Sequence, residues 1–248
     1  SYAFGYRNVV SGRNSFAGGS GVLVSGNNSF GYGNAHQILR NNCLGGGNAV
    51  TVNGDYSLLW GNGLQTAATN AAGFGQSGNA TSAGSSGFGR SWATRLYAEM
   101  VHASGSILTQ SDCQHGWFMM FNQTSSATPT KLWLDGLTGT QNATLVTGAR
   151  WGVTLDLTAA TTGAINKSAR FVRRWQIDRP TDAASTNIVG SVQTLGTDTG
   201  TNAGIPPAGW SVSITADTTN AAMQVQVTGD TNTINWVASV HYVQTIRV

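Results

Sequence analysis

The chain has 248 residues, 40% of them apolar, enough for one or two domains with a core. Only 9% are charged, against roughly 25% in ordinary soluble domains, and Gly, Ser, Thr and Asn fill the polar surface instead. The net charge of +3 is too small an excess to neutralise a row of phosphates, which argues against a nucleic-acid partner. No apolar run is long enough to span a bilayer, and no signal peptide is expected.

The first 94 residues carry an internal period. Gly5, Gly19, Gly33, Gly47, Gly61, Gly75 and Gly89 recur every 14 residues. Four positions earlier stand Ser1, Ser15, Ser29, Cys43, Ser57, Ala71 and Ser85, all small. Each is followed by one of Tyr2, Phe16, Phe30, Leu44, Leu58, Ala72 and Ser86. Asn14, Asn28, Asn42 and Asn70 precede small residues, and Gly12, Gly26 and Gly54 close several units. Between them lie apolar pairs such as Val22 with Val24 and Val50 with Val52.

Fourteen residues are too few for a helix pair. They suit two strands of about four or five residues joined by tight turns. The recurring Gly supplies a backbone conformation or a close approach that a Cβ would forbid. The recurring Asn suits a left-handed turn or a side-chain ladder. One coil cannot bury its inward residues alone, so the pattern predicts seven stacked coils, a β-solenoid. Cys43 sits in a Ser slot and reads as a small buried substitute. The loss of bulk at Ala72 and Ser86 reads as a stack approaching its end.

The units NSFAGG (14–19), NSFGYG (28–33), NCLGGG (42–47), YSLLWG (56–61) and NAAGFG (70–75) resemble the head repeats of trimeric autotransporter adhesins, which also occur in bacteriophage tail fibres. The resemblance implies a left-handed parallel β-roll over 1–94, three copies about a threefold axis, with inner-wall apolar residues buried against the other two chains. His36 shares the slot of Val22 and Val50, so such a trimer would make it the candidate for an ion on the axis.

Residues 95–248 lack the repeat and read as strands of period two, with a further division possible near 145. The segment Asp112-Cys113-Gln114-His115 could hold a metal together with His102, but a site needs three or four converging ligands. Neither Cys43 nor Cys113 belongs to a zinc-type spacing. No metal and no cofactor is therefore expected. Clear alternations follow at Trp151-Val153-Leu155-Leu157, Trp210-Val212-Ile214, Met223-Val225-Val227 and Ile234-Trp236-Ala238-Val240-Tyr242. Turn clusters separate them at Asp135-Gly136, Gly200-Thr201-Asn202, 217–220 and 229–232, and all four prolines fall in loop contexts. The spacing predicts an antiparallel β-sandwich of about eight to ten strands. Arg170, Arg173, Arg174 and Arg179 split between strand faces and read as ion pairs with Asp178 and Asp182.

The run 214–245, which contains VTGDTNTINWVASV, with ARFVRRWQIDR (169–179) and STNIVGSV (185–192) upstream, resembles the C-terminal domain of phage and prophage tail-fibre-like proteins. That resemblance implies a β-sandwich tip domain of structural virion proteins. The chain starts inside its repeat without Met, so a longer protein is expected to precede it. With its end at Val248 soon after the VTGDTNTINWVASV motif, no membrane-anchoring barrel is expected, and the expectation is a virion fibre rather than a bacterial adhesin.

The sequence contains no catalytic constellation. The ten acids fall mostly in turns, and no pair stands out for glycoside hydrolysis. Near-matches to GxSxG at 18–21 and 84–87 lie inside the repeat, and no Gly-Lys-Ser/Thr tripeptide exists. Sugars stack on exposed aromatic rings, which singles out His115, Trp117, Trp133 and Asp135 as a candidate glycan site. The competing reading makes both tryptophans core or subunit-interface residues.

The expectation is an all-β homotrimer acting as a receptor-binding tail fibre or spike outside the cell. Its partners would be a bacterial surface polysaccharide and other tail or baseplate proteins, with no nucleic acid and no membrane insertion. A purely structural virion component and a polysaccharide-degrading tailspike are the alternatives.

Overall fold

The computed structural model describes residues 1–137, 139–163, 166–201 and 204–247. Val248 and the Asn202 end of the expected 200–202 turn lie outside the described residues. The described residues are all-β, without a helix. Two compact units emerge, Ser1–Gln114 and His115–Val248.

The first unit is a β-solenoid. Its long strands are β1 (Tyr2–Tyr6), β3 (Phe16–Ser20), β5 (Phe30–Asn34), β7 (Leu44–Asn48), β9 (Leu58–Asn62), β11 (Ala72–Gln76), β13 (Ser86–Arg90) and β15 (Met100–Ala103). Between them run β2 (Val9–Val10), β4 (Leu23–Val24), β6 (Gln37–Ile38), β8 (Thr51–Val52), β10 (Gln65–Thr66), β12 (Asn79–Ala80) and β14 (Ala93–Thr94). Each set forms its own parallel ladder, with every residue paired to the one 14 positions later, as in Phe16 with Phe30 and Val24 with Ile38. The long ladder continues through β15, one rung beyond residue 94.

The repeat's residue choices follow from this register. Asn14, Asn28, Asn42 and Asn70 hold φ near +55°, the left-handed region that Asn tolerates best among residues with a side chain. Gly19 combines φ +116° with a close approach. A Cβ there would lie 1.9 Å from the Gly33 carbonyl oxygen of the next coil. Ser15 donates to the carbonyls of Arg13 and Gly26, and its Oγ accepts from the Ser29 N–H one coil up. Cys43 takes the same place, its Sγ 3.1 Å from the carbonyls of Asn41 and Gly54. Asn34 donates to Asn48 at 3.0 Å, forming a rung of a side-chain ladder.

The apolar interior lies within the single chain. Val22, Val24, Ile38, Val50, Val52, Leu59 and Leu64 are all buried there. This corrects the expectation that Val22, Val50 and His36 face neighbouring chains. His36 is fully buried inside its own coil, its Nε2 2.7 Å from the Gly47 carbonyl oxygen. It cannot reach a threefold axis outside that coil. At the far end Trp92 occupies the same slot, fully buried, and the glycines around it make room. A Cβ on Gly78 or Gly87 would come within about 2 Å of its indole.

The second unit contains β16 (Cys113–Thr124), which begins two residues earlier, then β17 (Thr130–Lys131), β18 (Ala143–Thr144), β19 (Ala149–Thr161) and β20 (Ser168–Asp178). They are followed by β21 (Asn187–Thr194), β22 (Thr199–Gly200), β23 (Ser211–Asp217), β24 (Ala222–Thr228) and β25 (Ile234–Ile246). One sheet runs β16-β25-β19-β20-β21, with β22 also on β20. The other runs β17-β24-β18, with β23 also on β24. All four period-two alternations fall on strands or at their starts, and Trp151, Trp210 and Trp236 are buried. The Trp151 indole N–H donates to Gln244 at 2.7 Å and that of Trp236 to Thr124 at 2.8 Å, so both rings are buried with partners.

Candidate functional site

Strand parity builds the candidate site. Phe118 and Met120 of β16 face the core, so His115, Trp117, Met119 and Phe121 turn to the other face. On β25 the buried set 234–244 leaves Val237, Ser239, His241 and Val243 on that outer face. His115 stacks on His241 with ring centroids 6.1 Å apart. Trp117 tilts against the same ring at 6.4 Å, and its Nε1 donates to Ser239 Oγ at 2.8 Å.

Register extends this group across the sheet. Thr154 of β19 pairs with His241, Arg174 of β20 with Thr154, and Gln193 of β21 with Arg174. Paired residues share a face, so His115, His241, Thr154, Arg174 and Gln193 form one outer row spanning five strands, about 19 Å at the usual strand spacing. Its chemistry is aromatic at one end and amide and guanidinium at the other. Such a row can stack on a ring and hydrogen-bond to hydroxyls.

The four expected site residues separate into two groups. His115 and Trp117 come together with His241 and Ser239. Trp133 instead bridges to Phe121, which places it about 13 Å along the strand from Trp117. Its ring carries the Lys131 ammonium at 4.4 Å. Asp135 accepts from the N–H groups of Thr140 and Gln141 at 3.0–3.1 Å. Burial opposes its ionisation, but the N–H groups of Gln141 and Thr140 prevail and hold the carboxyl below its usual range. Asp135 is therefore the fastener of its own loop. The sequence reading missed Ser239, His241, Thr154 and Arg174. Parity placed Ser239 and His241 opposite the core set, but only register joins them to His115 and Trp117.

The remaining polar groups are committed elsewhere. Asp112 is buried and accepts from the N–H groups of Ile107, Leu108 and Thr109. Desolvation works against its charge, yet those bonds lower its pKa. Burial, then the charge of Asp112, pushes the Cys113 thiol up. Among the described residues no three His, Cys, Asp or Glu side chains converge as a metal-ligand set. The arginine cluster has partners other than those expected. Arg170 pairs with Asp156 and Arg173 with Asp198, while Asp178 pairs with Arg150 and Asp182 caps the Ser185 N–H. The difference is one of register, because Asp156 lies diagonally across from Arg170 on the neighbouring strand. Lys131 binds Asp217 and Lys167 binds Asp230. Asp55 accepts from the Asn41 N–H, and Glu99 from those of Arg95 and Leu96. Every one of the ten carboxylates is thus held by a fold contact.

No protein-family model matches the chain, and no curated protein matches it. Among solved structures it is similar to the Acinetobacter phage vB_ApiP_P1 tailspike protein, with a TM-score of 0.30 and 9% identity over 99% of this chain. The chain spans about half of that protein, 54% of its length.

Proposed function

We propose that this protein is a phage-like tail fibre or tailspike-like virion component that attaches to a bacterial surface glycan. Three copies pack along their solenoids as a left-handed β-roll, and the two sheets of the second unit serve as a sandwich-like head. One observation carries this reading. The outward slots of the solenoid hold Tyr2, Phe4, Phe30, Tyr32, Leu44, Trp60, Phe74, Phe88 and Met100, all exposed on the single chain. Tyr32 is 51% and Phe4 65% exposed. Stacked pairs continue the stripe, with Phe16 to Phe30 at 5.0 Å and Phe74 to Phe88 at 5.6 Å. A contiguous apolar face of this kind marks an association surface.

A threefold assembly would present three copies of the outer row at once, so weak sugar contacts would add through avidity. Attachment rather than hydrolysis is favoured by the engagement of all ten carboxylates, since a glycosidase keeps two of them facing its substrate. The test is light scattering together with adsorption to bacterial cells. A mass near three times 25.8 kDa and retention on cells support the proposal. A monomer at micromolar concentration would sink it.

A further inference from the structure

A groove opens on the outer face of the second unit where β20 and β21 fall out of register. Arg174 pairs with Gln193 and Gln176 with Val189, so three residues of β21, 190–192, lie against the single Trp175. Such bulges bend a strand and open the ladder. Gly190 holds φ +74°, and a Cβ there would meet nothing within 4 Å, so glycine serves the backbone turn rather than the space. The opening has a volume of about 530 Å³ and is lined by Gly152, Arg174, Gln176, Val189, Ser191 and Gln193 among others. That size falls within the range of small-ligand sites. Gly152 presents bare backbone, with nothing within 4 Å of an added Cβ, and so keeps one wall open.

The charge pattern gives the groove its chemistry. Arg150, Arg170 and Arg173 each hold an aspartate. Among the described residues Arg174 holds none, and no carboxylate lines the groove. Trp175 also lines it, but it pairs with the buried Val153, so its ring belongs to the core side of the sheet. We propose that this groove binds a carboxylate-bearing sugar. The planar guanidinium of Arg174 takes the carboxylate in a two-point contact. Gln176, Ser191 and Gln193 offer donors and acceptors to ring hydroxyls. Val189 supplies one apolar edge for a sugar face. The proposal rests on the attachment reading only for where such a sugar comes from, an acidic surface polysaccharide.

The experiment is calorimetric titration of the intact chain with the trimer of galacturonic acid and with neutral maltotriose. The acidic trimer is expected to bind at least tenfold more tightly, and to weaken as salt rises. Arg174→Gln should cost tenfold or more, Arg174→Lys less, and Arg13→Gln on the solenoid nothing. Melting curves confirm that each variant is folded. Equal binding of the two sugars, no binding of the acidic one at millimolar concentration, or an unchanged Arg174→Gln protein would overturn the inference. Cell adsorption separates the two proposals. If Arg174→Gln binds cells as wild type does, the groove assignment fails and attachment stands. If the acidic trimer binds but cells are not adsorbed, the groove stands and attachment fails.

Discussion

Single positions in the solenoid are governed by what the next coil presents. Cys43 fills a Ser slot and satisfies the same two carbonyls that serine satisfies elsewhere in the column. Cys43→Ser should therefore leave the melting temperature nearly unchanged. Cys43→Val has the bulk but no donor, and should cost about 1–3 kcal/mol for the carbonyl contacts it abandons; chemical denaturation checks both. Burial raises the Cys43 thiol pKa, so a thiol reagent should label it only after unfolding. In the second unit, burial disfavours the charge on Asp217, but Asn220 and Lys131 outweigh it and bring the pKa from 3.8 to about 2. Asp230 is lowered too, burial again being outweighed by Asn232 and Lys167. A folded pKa below the unfolded one stabilises the fold above about pH 4, and that stability is lost as pH falls toward the folded value. Asp217→Asn should thus destabilise at pH 7, with the gap to wild type closing between about pH 4 and about pH 2. A gap that stays constant across that window would show that its contacts do not depend on charge.

At the scale of elements, Trp92 shows how the last coils are filled. Its indole occupies space left by Gly73, Gly78 and Gly87, which small residues there alone permit. Trp92→Ala should cost about 3–5 kcal/mol, because the emptied interior cannot collapse around backbone already in register. Thermal unfolding would detect this as an earlier, broader transition of the solenoid. The 14-residue spacing makes the coils, the left-handed Asn turns and the Ser column legible in the sequence alone. What it could not give was direction. Val22 and His36 share a slot, but whether a slot points into its own coil or toward a neighbour depends on coil curvature, which the period does not encode. Ala72 and Ser86 read as a stack approaching its end, and the ladder does continue only one rung further, to β15; they stand in the outward column, while Trp92 fills the interior. In the second unit, parity identified the inward faces of four strands correctly. The outer row and the groove arise from pairings such as Thr154 with His241 and from the slip at Trp175. Those depend on which distant strands meet, and local alternation carries no record of it.

For the molecule as a whole, the proposed association rests on the exposed aromatic column. Tyr32→Asp with Trp60→Asp places two charges where apolar rings now stand, without touching the coil interior. The double variant should sediment as a monomer and keep the strand circular-dichroism signature. An assembly that survives both charges would move the association surface elsewhere. A different consequence follows from every coil meeting its successor through the same 14-residue register. Each coil is a unit of length. Adding or removing one whole coil changes the reach of the solenoid by about 4.8 Å, the spacing of neighbouring strands, and leaves both of its ends chemically as they were. Partial units would instead misplace every Gly, Asn and Ser column above the cut. Length in such a protein can therefore change only in steps, as a count of coils.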